Sequence, residues 1–217
     1  MSRAALVLLL ALCACSNRPG YALAQRPDDA PRVRDRGYYR VLERYTVYSS
    51  AYDGLDHRFF LAATWESWAF RQRRIAALAD ALDLPPDEVE AMRARERAEA
   101  AEFVDVFLGL YTAESRWNDL SSPRSIWRLV LEHPDGGTAI PVHIERIVRP
   151  DANLQALYGY LSPFWVAYRV RFPGTDEHGR RFLRPGAELR MRLTSAVGEA
   201  VSTWSVLPED LPGGEST

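Results

Sequence analysis

The sequence contains 217 residues, carries a formal net charge of −2, and draws all of its 27 basic residues from arginine. A chain this close to neutral has no overall positive field of the kind that nucleic-acid-binding proteins use, so we predict no nucleic acid partner. Abundant Ala, Pro and Gly indicate that the lack of lysine reflects the codon usage of a GC-rich genome rather than phosphate recognition. The only cysteines, Cys13 and Cys15, lie near the start, so the rest of the chain has no thiol for a disulfide, a metal site or a nucleophile.

The first fourteen residues have the three parts of an export signal. Arg3 supplies a positive charge, residues 4–12 are an unbroken apolar run, and small residues then lead to Cys15. Spanning a hydrocarbon core of about 30 Å takes about 20 apolar residues, so this run is too short for a transmembrane helix. The sequence therefore predicts a signal peptide over residues 1–14.

The end of this leader has the residues of a lipid attachment site. Leu12-Cys13-Ala14-Cys15 resembles the lipobox of bacterial lipoproteins, with an aliphatic residue, a small residue and then the cysteine. The resemblance implies that signal peptidase II cleaves before Cys15, that its thiol carries diacylglycerol, and that the new amine is acylated. Ser16 resembles the sorting pattern of outer-membrane lipoproteins. We therefore expect a lipid-anchored protein of the bacterial cell envelope, held on the outer membrane and facing the periplasm.

Ordinary secretion is the alternative interpretation of the leader. Ala22-Leu23-Ala24 before Gln25 is an acceptable cleavage site, although it lies far beyond the apolar run. In the lipoprotein interpretation, residues 15–36 form the lipidated cysteine and a flexible tether, because they are rich in Pro, Arg and Asp and have no apolar period. Residues 37–207 then form a single domain, and residues 208–217 form a disordered tail.

The predicted domain begins with a β-hairpin. Residues 41–49 and 58–64 are rich in β-branched and aromatic side chains, and they flank the turn-forming pair Asp53-Gly54. The first arm is ambiguous, because the apolar residues from Tyr38 to Tyr45 also fit a helical period.

A helical hairpin follows over residues 65–101. The apolar residues of its first half fall on one helical face, Thr64 is the predicted N-cap, and Pro85-Pro86 ends this helix and begins the next. The second helix is crowded with charges at pairing offsets, as in Glu90–Arg93 and Arg95–Glu99, so we predict that it presents a solvated face.

From Phe103 onward the helical period gives way to strand patterns. Residues 103–111 are apolar at nearly every position, which is typical of a strand covered on both faces, with the helical hairpin as its outer cover. Alternating runs follow around a strong turn at 134–137. They lie near residues 127–131, 142–144, 168–172, 189–193 and 201–206. About eight strands and one inserted helical pair predict a mostly β fold, an antiparallel β-sandwich of immunoglobulin-like character.

Arginines alternate with apolar residues on two of the later strands. Arg169 and Arg171 interleave with the apolar residues of one strand, and Arg190 and Arg192 with those of another. If these strands pair, four guanidinium groups share one outer face, which Arg128 can join. Such a face would suit an anionic partner, namely lipid headgroups, glycan phosphates or an acidic protein. An ordinary solvated face balanced by nearby acids is the alternative.

Trp117 is the best candidate for an exposed aromatic side chain, because it lies in a predicted loop beside Asn118 and Asp119. Exposed rings of this kind can stack on sugars, although burial explains most of the tryptophans. The surrounding residues 110–131 loosely resemble a pattern in uncharacterised bacterial lipoproteins, in which a strand, a Trp-Asn-Asp-Leu-like loop and a second Trp-bearing strand recur. This resemblance implies no activity.

No motif in the sequence is typical of an enzyme. We find no nucleophile elbow, phosphate-binding glycine loop or catalytic triad pattern. Asp and His occur together in two turns, at Asp53, Asp56 and His57 and at Asp176-Glu177-His178, without the spacing of a zinc or calcium site. We therefore predict no catalytic residue, metal or cofactor, and a non-catalytic module that binds a protein, lipid or glycan of the envelope. An exported enzyme whose residues meet only in the fold is the alternative.

Overall fold

The computed structural model describes residues 35–213, which belong to one compact unit. The predicted signal peptide, Cys15, most of the predicted tether and residues 214–217 lie outside the described residues. The α-helices of the described range are α1 (Arg36–Tyr45), α2 (Trp68–Leu82), α3 (Pro86–Glu102) and α4 (Ala152–Leu157). The strands are β1 (Thr46–Asp53), β2 (Asp56–Trp65), β3 (Phe103–Thr112), β4 (Arg128–His133), β5 (Gly137–Ala139), β6 (His143–Ile147), β7 (Val166–Pro173), β8 (Glu188–Ser195) and β9 (Gly198–Ser205). None of these helices has the length and apolar character needed to cross a membrane.

Helix α1 precedes the first strand. Asp35 caps it by accepting a hydrogen bond from the amide of Gly37 at 2.7 Å, and Tyr38, Leu42 and Tyr45 are buried along one side. This segment therefore adopts the helical alternative. Spacings of four and then three residues put these apolar side chains on a single helical face. The predicted boundary between tether and domain, at residues 36 and 37, falls inside this helix.

Strands β1 and β2 form the predicted hairpin. Asp53 lies opposite Asp56, and Gly54 has a φ of +60° in the turn between them. This left-handed backbone conformation is one that glycine adopts at little cost, which is why the Asp-Gly pair identified the turn.

The helical pair follows β2, as predicted, but α2 begins at Trp68. Thr64 is not its N-cap, because Thr64 lies inside β2, where its hydroxyl contacts that of Thr46 at 2.8 Å. Ser67 caps the helix instead, since its hydroxyl accepts a hydrogen bond from the amide of Phe70 at 3.2 Å.

The strands form two antiparallel sheets. The order of the five-stranded sheet is β1-β2-β3-β7-β6, and that of the four-stranded sheet is β5-β4-β8-β9. Strand β3 lies at the centre of the larger sheet and is buried along nearly its whole length, as its unbroken apolar run predicts. The fold is therefore mostly β with helices added, and the described residues contain nine strands where the sequence predicted about eight.

Buried side chains of both sheets meet in one hydrophobic core. Phe59 of β2, for example, meets the edge of Trp127, just before β4, at a ring-centroid distance of 5.2 Å. On the opposite side of the larger sheet, Asp105 of β3 binds Arg71 of α2. Strand β3 therefore faces the common core on one side and the helices on the other, which explains why its sequence does not alternate.

The segment after β9 packs against the helices. Pro208–Asp210 forms a short 3-10 helix, and Asp210 is only 1% exposed. Its carboxylate accepts hydrogen bonds from the hydroxyl of Tyr45, from the hydroxyl of Ser67 at 3.0 Å and from the amide of Leu207 at 2.9 Å. The predicted disordered tail over residues 208–217 is therefore wrong at its start, because three donors hold this buried carboxylate in place.

Candidate functional site

The arginines singled out from the sequence lie in different sheets. Arg169 and Arg171 are on β7 of the five-stranded sheet, whereas Arg190 and Arg192 on β8 and Arg128 on β4 belong to the four-stranded sheet. Strand β7 pairs with β3 and β6, and β8 pairs with β4 and β9. The condition for a shared arginine face, namely pairing of these two strands, is therefore not met, because the connection between them carries the chain from one sheet to the other.

Acidic side chains balance three of these arginines. Glu145 lies 3.2 Å from Arg169. Glu132 binds both Arg190, at 2.8 Å, and Arg192. The geometry favours the alternative considered for the sequence, a set of solvated faces with balancing acids.

Arg171 belongs to an ion network that joins the helical hairpin to the larger sheet. Its Nε and Nη2 donate to the two carboxylate oxygens of Asp105 on β3, at 2.7 Å and 2.9 Å. The same Nη2 donates to Glu99 of α3 at 2.5 Å. Asp105 also accepts from Arg71 of α2 at 2.5 Å, so one carboxylate binds arginines from two elements.

The network continues through Arg71, whose side chain is 2% exposed. Its Nε donates to the main-chain carbonyl of Glu66 at 2.8 Å, and its Nη1 donates to Glu96 at 2.6 Å. Arg74 also donates to Glu96, at 2.8 Å, and lies 3.9 Å from the carboxylate of Glu66. Arg71 and Arg74 of α2 are therefore both paired to Glu96, a carboxylate of α3.

The charges of α3 divide between solvent and the sheet. The Glu90–Arg93 pair is exposed, with 2.6 Å between Arg93 Nη1 and Glu90 Oε1, as predicted for a solvated face. Glu96 and Glu99 instead bind the network, so the predicted partner of Arg95 is paired with Arg171. The solvated-face prediction is therefore wrong for this side of the helix.

Two titrating groups at the network, Glu66 and Tyr158, have pKa values shifted further from neutral pH. Burial acts to raise the pKa of Glu66, but the charges of Arg74 and Arg71 and a hydrogen bond from the hydroxyl of Tyr158 lower that pKa overall. Burial, together with the charge of Glu66, raises the pKa of Tyr158 well above its ordinary value. General acids and bases work best with a pKa near the operating pH, so this network is suited to holding α2 and α3 on the sheet rather than to proton transfer.

Trp117 is half-buried and belongs to a short 3-10 turn. Its carbonyl accepts a hydrogen bond from the indole of Trp127 at 2.5 Å. The amide side chain of Asn118 donates to the carbonyl of Leu110 and accepts from the hydroxyl of Tyr168, both at 2.8 Å. Trp117 therefore lies in the predicted loop, which these hydrogen bonds attach to β3 and β7.

Neither Asp–His group assembles a set of metal ligands. Across residues 35–213, no group of three or more His, Cys, Asp or Glu side chains is placed to hold a metal ion. In the first group, Asp53 pairs with Arg58. In the second, Asp176 accepts hydrogen bonds from the amides of His178 and Arg180, both at 2.9 Å.

A group of aromatic rings lies on the outer side of β1, β2 and β3, away from the common core. His57 stacks on Phe60 at a ring-centroid distance of 3.7 Å and on Tyr111 at 5.4 Å, and it meets the edge of Tyr52 at 5.3 Å. Tyr48 lies on the same side of β1 and, like Tyr52, is nearly 60% exposed: 59% and 58%. Burial lowers the pKa of His57, so its ring stacks in the neutral form. We call these five side chains the aromatic face.

A β-bulge turns His57 onto the aromatic face. Ala51 lies opposite Phe59, but Tyr52 lies opposite His57, so Arg58 has no partner in the ladder. In an uninterrupted register, Tyr52 would pair with Arg58, and His57 would point to the core side with Phe59. The bulge therefore brings His57 to the side on which Tyr52 lies.

A loop after α4 bounds the aromatic face. Gly109 of β3 has no side chain, and a Cβ at this position would lie 2.8 Å from Trp165 and 3.0 Å from Tyr160 of that loop. The hydroxyl of Tyr160 contacts that of Thr64 at 2.9 Å, and its ring meets the edge of Tyr48 at 6.1 Å. Because Gly109 leaves this space free, the loop packs directly onto the sheet and stands beside the exposed rings.

Acidic side chains surround the aromatic face. Asp53 and Asp56 lie at the hairpin turn, where Arg58 is paired with Asp53. Glu43 of α1 lies near Tyr48. The pKa of the Tyr48 phenol is raised, chiefly by partial burial and to a smaller extent by the negative charge of Glu43. The surroundings of the rings are therefore more negative than positive.

The aromatic face was not identified from the sequence. Of its five residues only His57 was considered there, and only as a possible metal ligand. Tyr48 and Tyr52 have the same parity along β1, a spacing that can mark one edge of the face, but the predicted arm over residues 41–49 ended before Tyr52. The position of His57 depends on the bulge, for which the sequence has no comparable signal.

A pocket of about 430 Å³ lies where the C-terminal segment crosses the end of α3. Its described lining is mainly apolar, and its charged members are Glu102 and Arg181. Among these lining residues there are no histidines and no converging carboxylates, which are the features that would favour an enzyme site.

No protein-family model, curated protein or solved structure matches the chain. Its function is therefore inferred from its own residues and their arrangement.

Proposed function

We propose that this chain is a lipid-anchored protein of the bacterial cell envelope and that its domain is a non-catalytic binding module. The leader supports the anchor, because Leu12-Cys13-Ala14-Cys15 resembles a lipobox and directly follows the apolar run. Each buried methylene contributes about 0.8 kcal/mol, so a triacylated Cys15 would hold the protein stably on its leaflet. With a flexible-chain distance of about 5–6 Å times the square root of length, the tether would place the domain about 25 Å from the anchor.

We also infer that the two sheets pack face to face as a β-sandwich. The shared core supports this arrangement, as does the contact between Phe59 and Trp127. Gly198 of β9 adds a second contact, since a Cβ there would lie 3.0 Å from both Ala51 of β1 and Phe59 of β2.

The exposed, stacked rings of the aromatic face carry the proposal of a binding module. Tyr48 and Tyr52 leave more than half of their surface in water, although burying apolar surface gains about 25 cal/mol per Å². Tyr52 is contiguous with the rings of His57 and Phe60, and tyrosine is among the residues that contribute most to binding. The face is also held in place, by the bulge at Arg58 and by the loop packed over Gly109. We therefore assign docking to this surface.

The non-catalytic part of the proposal is supported by the two places where chemistry would be sought. In the ion network, Glu66 is paired with arginines and its pKa is lowered. The C-terminal pocket is mainly apolar along its described lining. Neither observation favours the alternative of an exported enzyme.

Photo-crosslinking in intact cells tests the docking surface. A photoreactive phenylalanine derivative is placed at Tyr52 of the full chain and, as a matched control, at Arg93, which is exposed on α3. We expect crosslinked envelope components at Tyr52 and none at Arg93. Equal crosslinking at both positions, or none at Tyr52, would contradict the proposal.

Intact-mass spectrometry of the mature protein tests the anchor separately. We expect a chain that begins at Cys15 and carries diacylglycerol and an amide-linked acyl group. A Cys15→Ser variant is expected to lose the lipid-dependent part of its membrane association and to keep only the binding made by the domain itself. A mature chain that begins at Gln25 would refute the lipid anchor and leave the docking surface untouched.

A further inference from the structure

We propose that the aromatic face binds a glycan, as a chain of linked pyranose rings laid along β1. This inference rests on the proposed function of the face as a docking surface, and it names the chemical class of the partner. Three properties of the face support it: its size, the chemistry of its rings and the sign of the charges around it.

The size of the face suits a narrow ligand. Tyr48 and Tyr52 are four residues apart on one strand, which corresponds to about 13 Å. The distance from β1 across to β3 is about 10 Å, so the rings cover on the order of 150 Å². A stable protein interface buries about 800 Å² on each partner, several times that area. The aromatic face is too small to be the centre and rim of such an interface, but it is long enough for a short run of sugar rings.

The rings offer the surface that a pyranose needs. The face of an aromatic ring is electron-rich, and the axial C–H groups on the flat side of a pyranose carry partial positive charge. Tyr52, His57, Phe60 and Tyr111 contact one another within 6.3 Å and so form a continuous patch. Because His57 is neutral, the patch carries no buried charge that would favour water over a sugar ring.

The charges around the face distinguish a glycan from a lipid surface. Glu43 and Asp56 would repel the anionic headgroups of a leaflet. Arg58, which could attract such headgroups, is already paired with Asp53. Carboxylates at the edge of a stacking surface accept hydrogen bonds from hydroxyl groups, and a glycan supplies many such donors.

Titration of the purified mature chain with soluble glycans tests this inference. The probes are hexamers of β-1,4-linked glucose, hexamers of β-1,4-linked N-acetylglucosamine and the polysaccharide fraction of the cell envelope, with binding measured by calorimetry. We expect at least one probe to bind. Tyr52→Ala removes the ring and should raise the Kd at least tenfold, which corresponds to about 1.4 kcal/mol of binding free energy. Tyr52→Phe keeps the ring, so its Kd should stay within about threefold of the unmodified protein's.

Trp117→Ala serves as the matched control, because Trp117 is an aromatic residue outside the face. Binding that is lost in Trp117→Ala and kept in Tyr52→Ala would overturn the assignment of the glycan to the aromatic face. If no probe binds while Tyr52 crosslinks to a protein in cells, the glycan inference fails and the docking function stands. If no probe binds and Tyr52 crosslinks to nothing, both fail.

Discussion

Arg71 on α2 donates to Asp105 on β3 at 2.5 Å, and the two side chains are 2% and 10% exposed. Arg171 on β7 binds the same carboxylate from the other side. A buried pair of this kind gains little over a well-packed apolar contact, but removing one partner leaves a charge in the interior without compensation. The attachment of the helical hairpin to the larger sheet therefore depends on all members of the network being present.

Replacing Arg71 by Met is expected to lower the free energy of unfolding by about 1.5–3 kcal/mol, the range for hydrogen bonds to charged groups, because Asp105 and Glu96 lose Arg71 but keep Arg171 and Arg74. Urea denaturation followed by tryptophan fluorescence measures the change. Arg93→Met is the control, since the exposed pair of Arg93 with Glu90 contributes no more than about 1 kcal/mol. Equal destabilisation by the two substitutions would show that the network does not hold the hairpin.

Gly109→Ala is expected to destabilise the domain by about 1–3 kcal/mol, because the added methyl group would overlap Trp165 and Tyr160. The displaced loop should also change the environment of the aromatic face, which chemical shifts of Tyr48 and Tyr111 would report. Gly213→Ala, which adds a methyl group with no neighbour within 4 Å, is the control and should leave both readouts unchanged. A neutral Gly109→Ala would mean that the loop does not pack as described.

Asp210→Asn is expected to lower the free energy of unfolding by about 1.5–3 kcal/mol, the range for hydrogen bonds to a charged group. The buried hydroxyls of Tyr45 and Ser67 lose their carboxyl acceptor in this variant. Glu209→Gln, which alters only the partly exposed pair with Arg44, is the control. Limited proteolysis gives a second readout, since cleavage after Leu207 should accelerate in Asp210→Asn. Unchanged stability and unchanged cleavage in Asp210→Asn would contradict an anchored C-terminal segment.

The pH dependence of stability is expected to depend in part on His57. Its pKa in the folded state lies below the ordinary value of 6.5, so the unfolded chain binds more protons and stability rises with pH. The contribution of His57 is complete above pH 6.5 and is lost as the pH falls through the folded-state pKa. Melting temperatures at pH 7.5 and 5.5 should differ less in His57→Phe than in the unmodified protein. The exposed His178, changed to Gln, is the control, and an equal drop in all three proteins would count against this role of His57.

Features that depend on neighbouring residues were predicted from the sequence. The turn at Asp53-Gly54 and the Pro-rich start of α3 are observed where they were expected. Strand β3 was also predicted to be buried on both faces, because it is apolar at nearly every position. In each case the chemistry that fixes the structure lies within a few residues of the chain.

Features that depend on distant partners were not predicted. A shared face for Arg169 and Arg190 required their strands to pair, but β7 pairs with β3 and β6, and nothing local marks where a chain moves from one sheet to the other. Glu96 was expected in solvent, because its two arginine partners lie more than twenty residues earlier. Asp210 was expected in a disordered tail for the same reason, since its main partner, Tyr45, is 165 residues away.

The aromatic face depends both on neighbouring residues and on distant partners. Tyr48 and Tyr52 share a strand and a parity, so their common side follows from the sequence. Tyr111 joins them only through the pairing of β2 with β3, and His57 only through the bulge. A surface built from three strands and one irregularity is visible only after the register is known.

The most direct test of the docking surface is the binding of the mature chain to isolated cell envelopes. Cys15→Ser is introduced so that only the domain can hold the protein there, and retention is compared between this form and one that also carries Tyr52→Ala and Tyr111→Ala. We predict that the two added substitutions weaken envelope binding at least tenfold, about 1.4 kcal/mol or more, while Trp117→Ala in the same background leaves it unchanged. Equal retention of all three proteins would contradict the assignment of the aromatic face as the binding surface.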